Sequence, residues 1–443
     1  MLQLPEGAAR IIDTLEAAGF EAYAVGGCVR DSLLGLVPHD WDLCTSARPE
    51  ELQALFRGEH VVETGLKHGT LTVVLDHIPY EVTTFRVDGS YTDHRHPDAV
   101  SFVRDVREDL ARRDFTVNAM AYAPRTGLVD AFGGQEDLRR GVLRCVGEPR
   151  ERFTEDALRI LRALRFASTY GLTIDPMTAA AVHALYPTLK DVAAERIREE
   201  LVKLLCGRAV APILRDYTDV ITFLLPELAP CVGFDQRTRY HTWDVWEHII
   251  RTVEAVEPQP VLRLTMLLHD SGKPACFTLD ERGVGHAYGH AKVSGQYAEQ
   301  VLARLKADNA TRDRVLLLVE HHDLDMEPDR RLFRRWLSRF GEEVLRQLIE
   351  VHRADAMGKG FQTDAQIAAW IDSMTALLDS IVAEQPSLTL RDLAVGGHDL
   401  IALGMAPGPG MKDCLERLLM AVVDERLPNE REALLAEART LLD

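Results

Sequence analysis

The sequence predicts an α+β protein, with a mixed-sheet head over residues 1–150 and an all-α remainder. Residues 1–150 alternate strand-like and helix-like patterns, whereas from Thr154 onward apolar residues recur almost entirely at helical spacing. At 443 residues the chain exceeds what one core organises and suggests two to four domains. The pattern changes place a helical neck at 151–235, a histidine-rich helical body at 236–385 and a helical tail at 386–443.

Each element has its own signal. Met1 to Phe20 reads as an amphipathic helix; it lacks the basic start and unbroken apolar stretch of a signal peptide. Tyr23-Ala24-Val25 reads as a strand, Arg30 to Leu36 as a short helix and Asp40 to Cys44 as a second strand. Leu71 to Leu75 and Tyr80 to Phe85 form a predicted hairpin around Asp76-His77-Ile78-Pro79, and Ser101-Phe102-Val103 a further strand. Asp88 to Pro97 is polar and rich in turn formers, so a loop is expected there. Thr154 is a candidate N-cap for a helix that Gly171 ends, and Glu195 to Leu205 is another helix. A histidine-rich helical block runs from about Tyr240 to Met357. The tail, from Leu388, carries Gly396-Gly397 before its last helices.

Hydrophobic content of 46% and charged content of 27% are ordinary for a globular protein. No apolar run approaches the roughly 20 residues needed to span a bilayer. The seven cysteines are scattered without a C-x-x-C pair, which suits reduced thiols in a cytoplasmic protein. The net charge of −18 lacks the basic footprint usual for nucleic-acid binding. The dense arginines between Arg104 and Arg165 nevertheless allow a local basic cleft.

The chemistry-bearing residues are ordered within the first third. Asp40 and Asp42 are two apart, so on a strand both carboxylates point to one face. Two such charges repel unless cations intervene, and Mg²⁺ is held by one or two carboxylates plus substrate phosphates. Glu81 is a candidate third carboxylate. Gly26-Gly27, between a strand and a helix, permits close backbone approach to phosphate, with Arg30 and Asp31 one turn beyond. Arg113 matches phosphate bidentately, and Asp114 can accept from a ribose hydroxyl; helix-surface ion pairing is the alternative. Asp156, Arg159 and Arg162 share a helix face. They are either an intrahelical salt bridge or a base reader. A carboxylate accepting from an exocyclic amine, beside a guanidinium donating to a ring nitrogen, takes cytosine and adenine. Uracil and guanine would leave buried polar groups unpaired.

Together these residues resemble the bacterial-type (class II) tRNA nucleotidyltransferases, the CCA-adding enzymes, and the related bacterial poly(A) polymerases. The resemblance covers nearly the whole chain. Gly26-Gly27-x-Val29-Arg30-Asp31 with Asp40-x-Asp42 resembles the family's metal motif, and Arg112-Arg113-Asp114-Phe115-x-x-Asn118-Ala119-Met120 its ribose motif. Asp130-x-Phe132-Gly133-Gly134-x-x-Asp137-Leu138 resembles the head-to-neck segment. Glu155-Asp156-x-x-Arg159 resembles the protein template for CTP and ATP, and Glu195-Arg196-Ile197-x-x-Glu200-Leu201 the next neck motif. Asp88 to Phe102 resembles the loop required for adding the terminal A, and Leu393 to Ile401 a recurrent tail element. The resemblance implies a polymerase-β-like nucleotidyltransferase head, Mg²⁺ dependence, and addition of C, C and A to the tRNA 3′ end from CTP and ATP.

The body carries His248, His269-Asp270, His290, His321-His322 and Asp355. Helices can converge such residues on a metal, and imidazole plus carboxylate suits Ni²⁺ or Mn²⁺. The stretch Arg263 to Pro274 resembles the HD phosphohydrolase motif, with Ser271 where an apolar residue is usual. That resemblance implies His248, His269, Asp270 and Asp355 as ligands, with His290 and His321 as the extra ligands of two-metal forms. It implies hydrolysis of 2′,3′-cyclic phosphates or 2′-phosphates at RNA ends, or a vestigial RNA-binding body. Two alternatives therefore stand beside CCA addition: a poly(A) polymerase or A-adding enzyme, and an HD phosphohydrolase with a nucleotide-sensing head.

Overall fold

The computed structural model describes residues 2–66, 69–89, 100–384 and 386–441. It divides into two compact units, Met1–Pro226 and Glu227–Asp443. The head segment, and the neck segment as far as Pro226, lie in the first.

The first unit contains strands β1 (Ala22–Val25), β2 (Leu43–Thr45), β3 (His60–Gly65), β4 (Thr70–Leu75), β5 (Ile78–Thr84), β6 (Arg86–Asp88), β7 (Val100–Phe102), β8 (Ala121–Ala123) and β9 (Gly127–Val129). Seven of them form one mixed sheet in the order β3-β4-β5-β2-β1-β8-β9, and β6 pairs with β7 apart from it. Strand alternation explains the central hairpin. Leu71, Val73 and Leu75 of β4 are buried, as are Tyr80, Val82 and Thr84 of β5, while the residues between them face outward. Asp76 and His77 join the two strands with φ of 50° and 65°, the doubly positive turn that matches strand twist. Helix Glu6–Ala17 buries Ile11, Ile12 and Leu15 in the same core.

The register sets the site. β2 and β5 run parallel, with Leu43 beside Val82, and both side chains are buried. Their predecessors, Asp42 and Glu81, therefore lie side by side on the other face. The expected strand from Asp40 to Cys44 begins later, at Leu43. Leu43, Cys44 and Thr45 are wholly buried, which a carboxylate pair cannot be, so Asp40 and Asp42 occupy the approach to the strand. The Asp42 carbonyl still accepts from Val25 N at 2.9 Å, which fixes it against β1. Of the expected loop from Asp88 to Pro97, all but Asp88 and Gly89 lies outside the described residues.

The neck starts differently from expectation. Thr154 sits inside helix Pro149–Glu155, where its hydroxyl donates to Arg150 O at 2.7 Å. The chain breaks at Asp156 (φ −138°, ψ 105°), whose carboxylate accepts from Leu158 N at 3.0 Å at the start of helix Leu158–Tyr170. Gly171 ends that helix with φ 63°, as expected. Helix Ala194–Leu205 packs along it.

The second unit is mostly helical. Helix Val245–Ala255 packs on Pro260–Leu268 and on Glu342–Lys359, and His290–Arg304 on Asn309–Glu320. A short antiparallel pair, Thr278–Leu279 with Gly285–His286, interrupts the helices without a sequence signal. In the tail, Leu400, Leu418, Val423 and Leu434 form a separate apolar cluster.

Candidate functional sites

In the head, three carboxylates gather at the edge of β2 and β5. Asp42 reaches solvent, yet its carboxyl is pushed up to about 6. Partial desolvation is the main cause, followed by the negative charges of Asp40 and then Glu81; Arg113 opposes them. Gly26 turns the chain from β1 with φ 82°, and a Cβ there would lie 2.8 Å from Arg113 Nη1. Glycine thus brings the guanidinium against bare backbone beside the carboxylates. Buried Asp109 anchors this arginine loosely (3.5 Å) and Arg112 tightly (2.8 Å).

Two residues expected to meet nucleotide have other work here. Arg30 is 5% exposed and packs against the stacked rings of Phe166 and Tyr170. Its three nitrogens donate to Asp31, Asn118 and the Tyr170 hydroxyl, so it ties the glycine-turn helix to the neck. Asp114 is also buried. One oxygen accepts from Phe115 N (2.9 Å) and Asn118 Nδ2 (3.1 Å), and the other from Arg162 Nε (2.9 Å) and Nη2 (2.6 Å). Burial alone would raise its carboxyl; Arg162 and Asn118 override this and hold it at about 2. Four donors fill the four acceptor positions of a carboxylate. In this arrangement Asp114 has no lone pair for a ribose hydroxyl, and it orients Arg162 instead.

Asp156 and Arg159 keep spare capacity. Asp156 accepts from Leu158 N and, at 3.1 Å, from Arg196 Nη2. That leaves about half of its acceptor positions for an exocyclic amine. Arg159 donates through Nη1 to Glu155 and Arg152 O and through Nη2 to Arg112 O, leaving Nε–H and one Nη2 proton. Arg196 was legible only as part of a motif; its pairing with Asp156 depends on two helices meeting.

The second unit holds a different kind of site. His248, His269, Asp270 and Asp355 form one potential metal group, and Asp270, His290 and His322 another. Asp270 bridges them. Its Oδ2 lies 3.1 Å from His248 Nε2 and 3.3 Å from His269 Nε2, and its Oδ1 lies 3.2 Å from His290 Nε2 and 3.5 Å from His322 Nε2. The Nδ1 atoms of His269, His290 and His322 sit 2.8, 2.9 and 2.7 Å from backbone carbonyls. Donation there assigns the proton to Nδ1 and leaves each Nε2 a bare acceptor. His290 and His322 face each other Nε2 to Nε2 at 3.1 Å, and His269 Nε2 faces His248 Nε2 at 3.2 Å, all beside Asp270. Neither Asp270 oxygen makes a well-formed hydrogen bond, although Lys273 Nζ is 2.7 Å from one of them. Imidazole nitrogens and carboxylate oxygens converging in this way fit divalent cations, and backbone-anchored imidazoles are the usual outer support of such ligands.

His321, expected as a ligand, is a correction. Its Nδ1 faces Leu317 O and its Nε2 faces Arg339. The helix ends at Glu320, and His322, two residues on, is the one that turns inward. In a His-His doublet at a helix end, sequence cannot say which ring faces the core. Lys273, three residues after Asp270, and Lys359, four after Asp355, also escaped notice; both bond the ligand carboxylates from the next helical turn.

Residues 22–144 match the family model of the Poly A polymerase head domain. Residues 171–232 match the probable RNA and SrmB-binding site of polymerase A, and residues 288–438 match tRNA nucleotidyltransferase domain 2. A CCA-adding enzyme of Lactiplantibacillus plantarum is 37% identical over 453 residues, covering 100% of this chain and 98% of the relative. This chain belongs to the CCA-adding enzyme family. A second member, from Levilactobacillus brevis, is 35% identical, covering 97% of this chain and 96% of the relative. The CCA-adding enzyme of Bacillus stearothermophilus in complex with CTP aligns with a TM-score of 0.72 at 30% identity, covering 98% and 96% of the two chains. The Thermotoga maritima CCA-adding enzyme complexed with tRNA shares the fold, with a TM-score of 0.61 at 20% identity and 100% and 97% covered. Among the described residues, no helix of this family member is long and apolar enough to cross a membrane.

Proposed function

We propose that this chain adds C, C and A to the tRNA 3′ end from CTP and ATP, releasing pyrophosphate. The observation that carries the proposal is the crowding of Asp40, Asp42 and Glu81 beside Arg113 and the Gly26 turn. Full-length likeness to CCA-adding enzymes supports the product.

Asp40 and Asp42 would hold Mg²⁺. Bound there, the ion would activate the attacking hydroxyl and neutralise the leaving pyrophosphate. The tRNA 3′ oxygen bonds to the α-phosphorus as the bond to pyrophosphate breaks. Gly26 and Gly27 leave the backbone open to the triphosphate, and Arg113 meets its charge. Asp156 accepts from the amine of cytosine or adenine while Arg159 donates to the ring nitrogen. Arg162 is held toward the same pocket by Asp114. The helical segments hold the acceptor arm through shape and phosphate contacts. All seven cysteines are free, which supports a reducing cytoplasm.

The test is Asp42→Ala in the full chain, with incorporation measured on a 3′-truncated tRNA. Loss of incorporation with tRNA binding retained supports the assignment; incorporation near wild type overturns it. Product length separates this proposal from a poly(A) polymerase, which would leave an open-ended A tract.

One observation favours a second activity. The converging Nε2 acceptors around Asp270 support a two-metal HD phosphohydrolase centre held by His248, His269, Asp270, His290, His322 and Asp355, with Ni²⁺ or Mn²⁺ suited to the donor set. Phosphate release from a 2′,3′-cyclic nucleotide that survives Asp42→Ala and disappears with Asp270→Ala tests it.

A further inference from the structure

The histidine-aspartate cluster opens into a cleft of about 680 Å³ within the second unit. Its walls carry charge. Asp270, Asp323, Asp325 and Asp355 face Lys273 and Lys359, leaving two negative charges. Two divalent cations on the cluster would reverse this to two positive charges. That balance suits a phosphomonoester dianion or a cyclic phosphate better than a triphosphate, whose extra charges would meet Asp323 and Asp325.

The mouth carries aromatic surface. Tyr288 is 79% exposed and stacks flat on His286, with ring centroids 5.1 Å apart and planes 7° apart. Both line the cleft, as does His290, two residues on from Tyr288. Tyr240, 48% exposed, lines it too, braced edge-on by Phe361, which is itself 59% exposed. Two large exposed rings converging on one cleft call for a partner, and an open aromatic face stacks any nucleobase. The short strand pair 278–279/285–286 ends at His286 and so delivers the platform to this position.

We propose that Tyr288 is a base-stacking platform at the mouth of this cleft, selecting a nucleoside phosphate over phosphate alone, while Lys273 and Lys359 balance the charge of the phosphate at the cluster. The proposal rests on the metal reading above and adds base recognition to it. A free mononucleotide and a phosphorylated RNA end share this chemistry.

The test is calorimetric binding to the full-length Mn²⁺-loaded protein, with 3′-AMP, inorganic phosphate and ATP as probes. We expect 3′-AMP to bind more tightly than phosphate and ATP to gain nothing at this site. Tyr288→Ala should weaken 3′-AMP at least about fivefold and leave phosphate unchanged, and Tyr288→Phe should restore the loss. Asp270→Ala should remove both ligands. A Tyr288→Ala effect equal on 3′-AMP and phosphate overturns the platform, as does 3′-AMP binding no tighter than phosphate. Binding of 3′-AMP that survives Asp270→Ala places the nucleotide elsewhere and also overturns it. Metal analysis separates the two levels: no bound Mn²⁺ lost on Asp270→Ala sinks the metal reading itself. An RNA oligonucleotide ending in a 3′-phosphate that outbinds 3′-AMP, with the gain lost on Tyr240→Ala, identifies an RNA end as the source; equal affinities identify the free nucleotide.

Discussion

The two acidic sites differ in how complete they are before a substrate arrives. In the head, Asp40 and Asp42 reach solvent on the approach to a strand, and partial desolvation, followed by the charges of Asp40 and Glu81, lifts Asp42 to about 6. In the second unit, His248, His269 and Asp270 are at most 1% exposed, and a backbone carbonyl fixes the His269 imidazole. Carboxylates alone leave room for Mg²⁺ to arrive with a triphosphate, whereas buried imidazoles and a bridging carboxylate can keep a metal between turnovers. One chain thus pairs a site assembled with its substrate and a site assembled by its fold.

The comparison breaks most sharply at Asp42. Asp42→Ala should reduce nucleotide incorporation by about a thousandfold or more, since it removes several kcal/mol of metal-derived charge stabilisation. Metal content of the second unit should not change, and metal analysis beside tRNA extension checks both halves. Asp270→Ala should do the converse, with transition metal lost and CCA incorporation within about twofold of wild type. The charge buried with the remaining ligands makes this the larger structural perturbation, so a thermal scan of both variants sharpens the contrast.

His322→Ala should lower metal affinity about 10- to 100-fold, while His321→Ala leaves it unchanged. Equal effects in a metal titration would undo the distinction between the neighbouring rings. Arg159→Ala should relax discrimination against UTP by about 1–3 kcal/mol, read as the ratio of kcat/KM for CTP and UTP. The smallest effect concerns pH. Asp114 sits at about 2 in the folded protein, below the ordinary value of 3.8. Its depressed carboxyl stabilises the fold above pH 4, and this contribution, about 2 kcal/mol, disappears as pH falls from 4 toward 2. Asp114→Asn should flatten the acid limb of unfolding in that window; an unchanged limb would contradict the Arg162 pairing.

Local pattern made much of this legible. Alternation along 71–85 and the turn at Asp76-His77 specify the hairpin, and Gly171 ends its helix because φ 63° suits glycine. The carboxylate pair was legible by spacing and Glu81 as a candidate third member, but what sets Glu81 beside Asp42 is the Leu43–Val82 register, a tertiary fact. Arg30 and Asp114 were read as nucleotide contacts because their residue types suit phosphate and ribose. Burial against Phe166 and Tyr170, and saturation by Arg162, come from the neck helix packing on the head. Thr154 suits a cap by residue type, but the chain breaks two residues later, at Asp156, whose carboxylate takes the Leu158 amide. The His321-His322 doublet failed for the same reason: one residue of rotation at a helix end decides which ring is a ligand.

The central claim is that the head, through its carboxylates and protein template, writes a defined end. The most direct measurement is end-sequencing of a tRNA lacking its last three nucleotides after incubation with CTP, ATP and Mg²⁺. Addition of C, C and A followed by arrest is the expected result. An unbounded A tract, or a 3′ end left unextended, would contradict it.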